Sequence, residues 1–241
     1  MEENKDNGTE EQQVIKLDES MFETECMGID NRKNRAKELL EEKYGEEFIV
    51  TKYLGSPFMT GYFEVEAYPR CNPELLFKAA VDVDGKEVED QYVSKSICYN
   101  TADLIEQNLN GLRGSYFISI IPIAKNTILS NPQASMEDFV KANDKNRFSV
   151  YFFYCPDEQV DKETYASVCE MFKGLECMSG NIPMYVVEEK LLNQVEDYAG
   201  ENRAFFNDFK LMTKPFHKGY IPFENGKVTM SEAEFLEMAG E

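Results

Sequence analysis

The clearest candidates for chemistry are three carboxylates that follow an apolar run in the first half of the chain. Asp82, Asp84 and Glu87 lie within six consecutive residues, on either side of Gly85. Carboxylate oxygens at this spacing can ligate Ca²⁺ or Mg²⁺, and an aspartate at the end of a strand can act as a nucleophile. A reversal of the chain is the third interpretation, because Asp-Gly is a preferred pair in tight hairpins.

A calcium loop of the EF-hand type is the first alternative, and its spacing fails at both ends. That loop needs oxygen ligands at its first, third and fifth positions, glycine at the sixth and glutamate at the twelfth. With Gly85 at the sixth position, Ala80 and Gln91 occupy the first and the twelfth. A simpler metal site that uses the three carboxylates Asp82, Asp84 and Glu87 stays open.

The same stretch also resembles the nucleophile motif of haloacid dehalogenase-type phosphatases, in which an apolar strand ends in Asp-x-Asp-Gly. The resemblance implies that Asp82 attacks phosphorus, that Asp84 acts as acid and base, and that magnesium bridges them to the phosphate. Lys86 stands where that family has threonine or valine, and Lys78 gives the strand a polar face. A magnesium-dependent phosphatase is therefore an alternative function, and we do not favour it.

The hairpin interpretation explains the largest part of the pattern. Phe77, Ala79, Val81 and Val83 share one face opposite Lys78 and Asp82, so a strand with one apolar face runs into Asp84-Gly85. Both of these residue types tolerate the positive φ that tight hairpins require. We therefore predict that Asp84 and Gly85 reverse the chain and that the neighbouring carboxylates face water.

The rest of the chain lacks the usual signatures of catalysis. His217 is the sole histidine, so a serine or cysteine triad has one available base and multi-histidine metal sites are excluded. Phosphate-binding glycine loops and Cys-x-x-Cys pairs are absent from the sequence. We assign no catalytic residue and predict no cofactor.

The overall charge narrows the choice of partners. The formal net charge of −20 disfavours binding to nucleic-acid phosphates and to anionic membranes. The sequence has no apolar segment of roughly 18 residues and no secretory signal, so a cytoplasmic location is expected. An acidic nucleic-acid mimic that inhibits a basic partner is a further alternative.

Hydrophobic periodicity predicts an α+β fold of antiparallel sheets with packed helices, in two lobes that can share one core. Residues 1–29 are expected to form an acidic flexible tail. The first lobe, residues 30–125, contains a helix that ends near Gly45, antiparallel strands, a second helix and a buried strand. Residues 126–147 connect it to a second α+β lobe at residues 148–241.

The second lobe carries local signals of turns and helix starts. Asp161 is placed to cap a helix, and Asn225-Gly226 predicts a two-residue hairpin. Ser231 and Glu234 have the spacing of a capping box, which predicts a final helix. Residues 205–216 are compatible with helix or strand.

One part of the chain resembles a known kind of module. The stretch AKELLEEKYGEEFIV, followed by FEVEAYPRCNPELLFKAAVDVDGKEVEDQY, resembles a module of uncharacterised Firmicutes-type bacterial proteins. It is similar to PepSY and cystatin-like modules, in which a helix precedes a curled antiparallel sheet. The resemblance implies no activity and no catalytic residues. Because recognisable nucleophile–base, metal and phosphate signatures are absent from the sequence, we predict a non-catalytic protein that binds another protein and neither nucleic acid nor membrane.

Overall fold

The computed structural model describes residues 28–56, 61–109, 111–122, 127, 129–143, 147–199 and 213–240. Within these residues, six α-helices and two β-sheets confirm the predicted α+β class. The predicted acidic tail lies outside the described residues except for its last two positions, and so does most of the ambiguous segment 205–216. No helix of the described residues has the length and apolar character needed to cross a membrane.

Four strands form the first sheet, in the order of the chain: β1 (Phe48–Gly55), β2 (Tyr62–Pro69), β3 (Phe77–Asp82) and β4 (Val88–Asp90). Every neighbouring pair is antiparallel, as the alternation of apolar and polar residues predicts. Helix α1 (Ile29–Tyr44) packs its buried Ala36, Leu39 and Leu40 against the apolar face of this sheet. Gly45 ends the helix in the left-handed conformation, with φ of 72°.

Five strands form the second sheet, again in chain order: β5 (Ser115–Pro122), β6 (Phe148–Cys155), β7 (Gly180–Val186), β8 (His217–Glu224) and β9 (Lys227–Val228). The pair β6–β7 is parallel, whereas the sequence predicted antiparallel pairing throughout. A parallel pair needs a crossover, and helix α4 (Lys162–Glu170) lies in that connection. The sheets are therefore antiparallel in the main, with one exception.

Helices cover both faces of the second sheet. The four other helices are α2 (Tyr92–Asn108), α3 (Met136–Ala142), α5 (Glu189–Ala199) and α6 (Glu232–Gly240), and a short 3₁₀ helix occupies Lys214–Phe216. Apolar residues of α2, α3, α4 and α6 share one core with the face of the sheet that carries Ile118 and Phe152. Helix α5 packs on the opposite face, where Leu192 and Val195 contact an aromatic cluster.

The chain changes sheets earlier than the predicted lobe boundary. Strand β5 falls within the predicted first lobe, yet it pairs with β6 along eight successive residue pairs of the second sheet. The buried residues of α2 also belong mainly to the core of the second sheet. The two sheets therefore divide between β4 and α2, and the predicted connector 126–147 falls between two strands of one sheet. The division into lobes stays a prediction.

The local signals in the second half are confirmed. The Asp161 carboxylate accepts hydrogen bonds from the backbone N–H groups of Glu163 and Thr164 at the start of α4. Asn225 and Gly226 have φ of 49° and 70°, as a two-residue hairpin with two left-handed positions requires. Ser231 and Glu234 exchange the hydrogen bonds of a capping box ahead of α6.

Candidate functional site

The carboxylate group at Asp82 forms part of a chain reversal between β3 and β4. Asp82 Oδ1 accepts hydrogen bonds from the backbone N–H groups of Lys86 at 2.7 Å and Glu87 at 2.6 Å. The Asp82 carbonyl oxygen accepts another from the Gly85 N–H at 2.9 Å. An aspartate that satisfies the backbone of its own turn is the ordinary use of this residue type in loops.

The turn differs in type from the predicted two-residue connector. The hydrogen bond from Gly85 to Asp82 places Val83 and Asp84 at the centre of a β-turn. Among the described residues other than glycine, Asn225 is the one with positive φ, so Asp84 does not adopt that conformation. Gly85 does, with φ of 65°. The prediction of a reversal at this point is right, and the exact residues of the turn were wrong.

The other groups around the turn also have structural partners. The Asp84 carboxylate forms an exposed ion pair with Lys86 at 3.1 Å. The Arg35 Nε of α1 donates a hydrogen bond to the Gly85 carbonyl at 2.6 Å, which fixes the loop to the helix. Glu87 is exposed. In the described part of the chain no group of three histidine, cysteine, aspartate or glutamate side chains is arranged to hold a metal ion.

A cleft of about 490 Å³ lies between the two sheets, and we call it the inter-sheet cleft. It lies away from Asp82 and Asp84, which do not line it. Four parts of the chain form its walls: residues 117–122 of β5, one side of α2, residues 74–78 at the start of β3, and Glu66 of β2. The sequence carries no local signal of this cleft, because the segments that form it are far apart along the chain.

Helix α2 positions polar groups in the cleft because one of its sides packs in the core of the second sheet and another side faces the cleft. Val93, Ile97 and Ile105 recur at helical spacing and are buried in the core of the second sheet. The side that lines the cleft carries four charged or phenolic residues, also at helical spacing: Lys95, Tyr99, Asp103 and Glu106. Burial of the apolar side therefore fixes the direction of the polar one.

Hydrogen bonds join α2 to the segment ahead of β3. The Tyr99 hydroxyl donates to Glu74 Oε2 at 2.8 Å, and the Lys95 ammonium donates to the Leu76 carbonyl. The hydrogen bond to Glu74 raises the pKa of Tyr99, with a smaller contribution from burial. These contacts hold one wall of the cleft in a fixed position.

The first sheet contributes one carboxylate and one amine from its polar face. Glu66 of β2 and Lys78 of β3 are cross-strand neighbours, and both line the cleft. Glu66 is 9% exposed, which is unusual for a glutamate. Its cross-strand neighbour on β1 is Lys52, so a lysine lies on each side of it in the sheet. The described lining thus holds four carboxylates and two amines, so its charge is negative.

A smaller cavity of about 130 Å³ lies at the start of α4. It is lined by Asp161, Glu163 and Arg113, among others. Hydrogen bonds from the Thr164 N–H and neighbouring donors lower the pKa of Asp161, because they stabilise its charged form. Arg113 pairs with Glu163 at 2.7 Å. The carboxylates of this cavity therefore serve the helix start, and we assign no site to it.

His217, the one available base for a triad, lies in an aromatic cluster. Its ring centroid is 4.9 Å from that of Tyr185 and 4.8 Å from that of Tyr220. The five described cysteines are free thiols, and burial raises the pKa of Cys155, Cys169 and Cys177. A raised thiol pKa reduces the thiolate fraction at neutral pH, so these groups are poor nucleophiles.

Comparison with known proteins gives one informative similarity. Neither protein families nor curated proteins yield a match to this chain. Among solved structures, the chain is similar to a DUF5037 family protein from Ruminococcus gnavus, with a TM-score of 0.66 and 14% sequence identity. The similarity covers 86% of this chain and 98% of that one. At this identity the likeness shows a shared fold in an uncharacterised bacterial protein, which agrees with the kind of family that the sequence resembles.

Proposed function

We propose that this chain is a cytoplasmic, non-catalytic binding protein that holds part of a partner protein in the inter-sheet cleft. The observation that carries the proposal is the cleft itself, whose volume of about 490 Å³ is in the range of ligand sites. It combines apolar residues of β5 with a few convergent polar groups from α2 and the first sheet. That combination is typical of recognition sites, in which apolar contacts supply affinity and polar groups supply orientation.

The alternative functions have less support. In a phosphatase, the carboxylate of Asp82 would have to attack phosphorus, but Oδ1 of this residue already accepts two backbone hydrogen bonds. Asp84 is exposed and paired with Lys86 rather than placed in an enclosed pocket. The acidic nucleic-acid mimic depends on total charge alone, and no described surface favours it over the cleft.

Capture of a partner with matched charge variants tests the proposal. The cleft variant carries Asp103→Lys and Glu106→Lys, which reverse two exposed carboxylates on the wall that α2 forms. The control variant carries Glu170→Lys and Glu237→Lys, two exposed helical carboxylates outside the cleft. Both variants change the net charge equally, so a general electrostatic effect would alter both alike.

We expect the parent protein and the control variant to retain the same partner from a lysate, and the cleft variant to lose it. Equal retention by all three proteins, or equal loss in both variants, would contradict binding in the cleft. A phosphatase screen with magnesium runs beside the capture experiment. Metal-dependent turnover that disappears in Asp82→Asn would replace the binding proposal with the phosphatase alternative.

A further inference from the structure

The edges of the two sheets differ in how well they are protected from pairing with another strand. Natural sheets shield their edges with bulges, charged residues or very short strands. Strand β1 has two irregularities in its register, β4 has three residues and β9 has two. These three edges therefore carry at least one protective feature each.

Strand β5 has no bulge, no charge and no short length at its outer edge, and its one edge-protecting residue, Pro122, is the last residue of the strand. It has eight residues, its register with β6 is unbroken, and its sequence SYFISIIP contains no charged residue. In an antiparallel strand every second residue directs its backbone N–H and C=O away from the paired neighbour. Within the described residues β5 is the terminal strand of its sheet, so no described strand pairs with these groups.

The unprotected edge lies along the inter-sheet cleft. Residues 117–122 of β5 all line the cleft, although their side chains alternate between the two faces of the sheet. Side chains of one face alone would place only every second residue at the cleft. Because six successive residues line it, the backbone edge of β5 itself faces the cleft. At about 3.4 Å per residue, this edge is roughly 20 Å long and matches an extended segment of about six residues.

The charge of the inter-sheet cleft indicates which charge a segment that pairs with β5 should carry. Glu66, Glu74, Asp103 and Glu106 line it, against Lys78 and Lys95. The four carboxylates outnumber the two ammonium groups, so the described lining has a net negative charge. A segment with lysine or arginine complements this surface. The acidic first 29 residues of this chain have the wrong sign of charge, and so has a second copy of a chain with a net charge of −20.

From these observations we infer that β5 accepts an extended basic segment of a partner protein as an added antiparallel or parallel β-strand. Main-chain hydrogen bonds to the outer edge of β5 supply affinity in this mode, and alternate side chains supply specificity. Alternate cationic side chains of the segment face the carboxylates of α2 and of the segment ahead of β3. The inference rests on the proposed function, because it names the partner of the same cleft.

A synthetic hexapeptide of alternating lysine and valine, blocked at both ends, tests strand addition on the full chain. Two peptides serve as controls: one with glutamate in place of lysine, and one with N-methyl groups on every amide. The N-methyl peptide keeps all side chains but cannot donate backbone hydrogen bonds along either edge. We expect both controls to bind at least about tenfold more weakly than the lysine peptide.

Amide hydrogen exchange then locates the added strand. Bound lysine peptide is expected to slow exchange at alternate residues of β5 and to leave the short edge strand β9 unchanged. The Asp103→Lys and Glu106→Lys variant is expected to lose peptide binding, and the Glu170→Lys and Glu237→Lys variant to keep it. A far-ultraviolet circular dichroism spectrum like that of the parent protein shows that each variant folds.

Three results would overturn the inference: equal binding of the N-methyl peptide, equal binding of the glutamate peptide, and no binding of the lysine peptide at about 1 mM. Concentration-dependent dimerisation that protects β5 without peptide would make a second copy the occupant instead. Each result can occur while partner capture still depends on the cleft. In that case strand addition is wrong and the proposed function stands. If the cleft variant and the control variant instead retain the partner equally in the capture experiment, the proposed function itself is contradicted.

Discussion

At the scale of single residues, a carboxylate can accept backbone hydrogen bonds and stabilise a turn instead of taking part in catalysis. Asp82 illustrates this, because one of its oxygens satisfies two N–H groups of the loop that follows. Asp84, two residues later, is 51% exposed on its side chain and contacts Lys86. Two aspartates in one short motif therefore differ in importance to the fold, and the difference can be measured.

We expect Asp82→Ala to lower the free energy of unfolding by about 1 kcal/mol, because two backbone donors lose their acceptor. Asp82→Asn retains an acceptor oxygen at the same position and is expected to remain near the parent. Asp84→Ala is the control, since an exposed ion pair contributes little. Urea unfolding of the three variants checks the order; an asparagine variant as unstable as the alanine variant would contradict the turn assignment.

At the scale of elements, the parallel pair β6–β7 depends on a close approach of two backbones. Gly180 at the start of β7 pairs with Phe148 at the start of β6. A Cβ atom on Gly180 would lie 1.9 Å from the Phe148 carbonyl oxygen. Contacts this short with backbone atoms cannot be relieved by a side-chain rotation, so the glycine is required for the crossover to close.

Gly180→Ala is expected to lower the free energy of unfolding by roughly 2 to 3 kcal/mol, because the strands must separate to accommodate the methyl group. Gly240→Ala at the end of α6 is the matched control, since a Cβ there meets no atom within 4 Å. Thermal unfolding followed by circular dichroism measures both. Similar melting temperatures for the two variants would show that the close approach is not important.

At the scale of the whole molecule, a partly buried polar network joins the helices of the two sheets. The Tyr44 hydroxyl at the end of α1 donates to Asp90 Oδ1 at 2.9 Å, and the Tyr92 N–H at the start of α2 donates to the same oxygen at 2.9 Å. Lys43 pairs with Asp90 at 2.8 Å, and the Tyr92 hydroxyl donates to Glu46 at 2.6 Å. The network therefore fixes α2 relative to α1 and sets the position of the cleft wall.

The network predicts a loss of stability at alkaline pH. Burial, followed by the nearby carboxylates, raises the pKa of Tyr44 and of Tyr92 above the usual value near 10. Because the unfolded phenols ionise first, the stabilisation is complete below about pH 10 and falls as the pH rises towards the folded pKa. The free energy of unfolding of the parent protein is thus expected to decrease above about pH 10.

Tyr44→Phe separates this effect from general charge repulsion. The variant is expected to be less stable than the parent by about 1 kcal/mol near neutral pH, because Asp90 loses a donor. The difference in free energy of unfolding between parent and variant is expected to become smaller above about pH 10. Tyr44 ionises in the unfolded parent and lowers its stability, whereas phenylalanine at this position does not ionise. Urea unfolding at about pH 8 and about pH 11 gives the measurement, and a difference that is constant with pH would contradict the assignment.

Features that depend on residues close together in the chain were predictable. The stop of α1 at Gly45, the cap at Asp161 and the hairpin at Asn225-Gly226 each depend on hydrogen bonds or φ angles within a few residues. Each of these signals is confirmed. The exact turn at Asp82 was missed, because Asp-Gly fits several turn types whose choice depends on the loop length and on Arg35 of α1.

The sequence by itself determined the α+β class, the positions of most helices and strands, and the negative charge, because periodicity, turn residues and ionisable groups act locally. Only the tertiary structure decided which sheet takes β5, that β6 and β7 run parallel, and that residues from β2, β3, α2 and β5 meet in one cleft. Strand order is set by the burial of apolar faces from distant parts of the chain, and one sequence pattern is compatible with several such pairings.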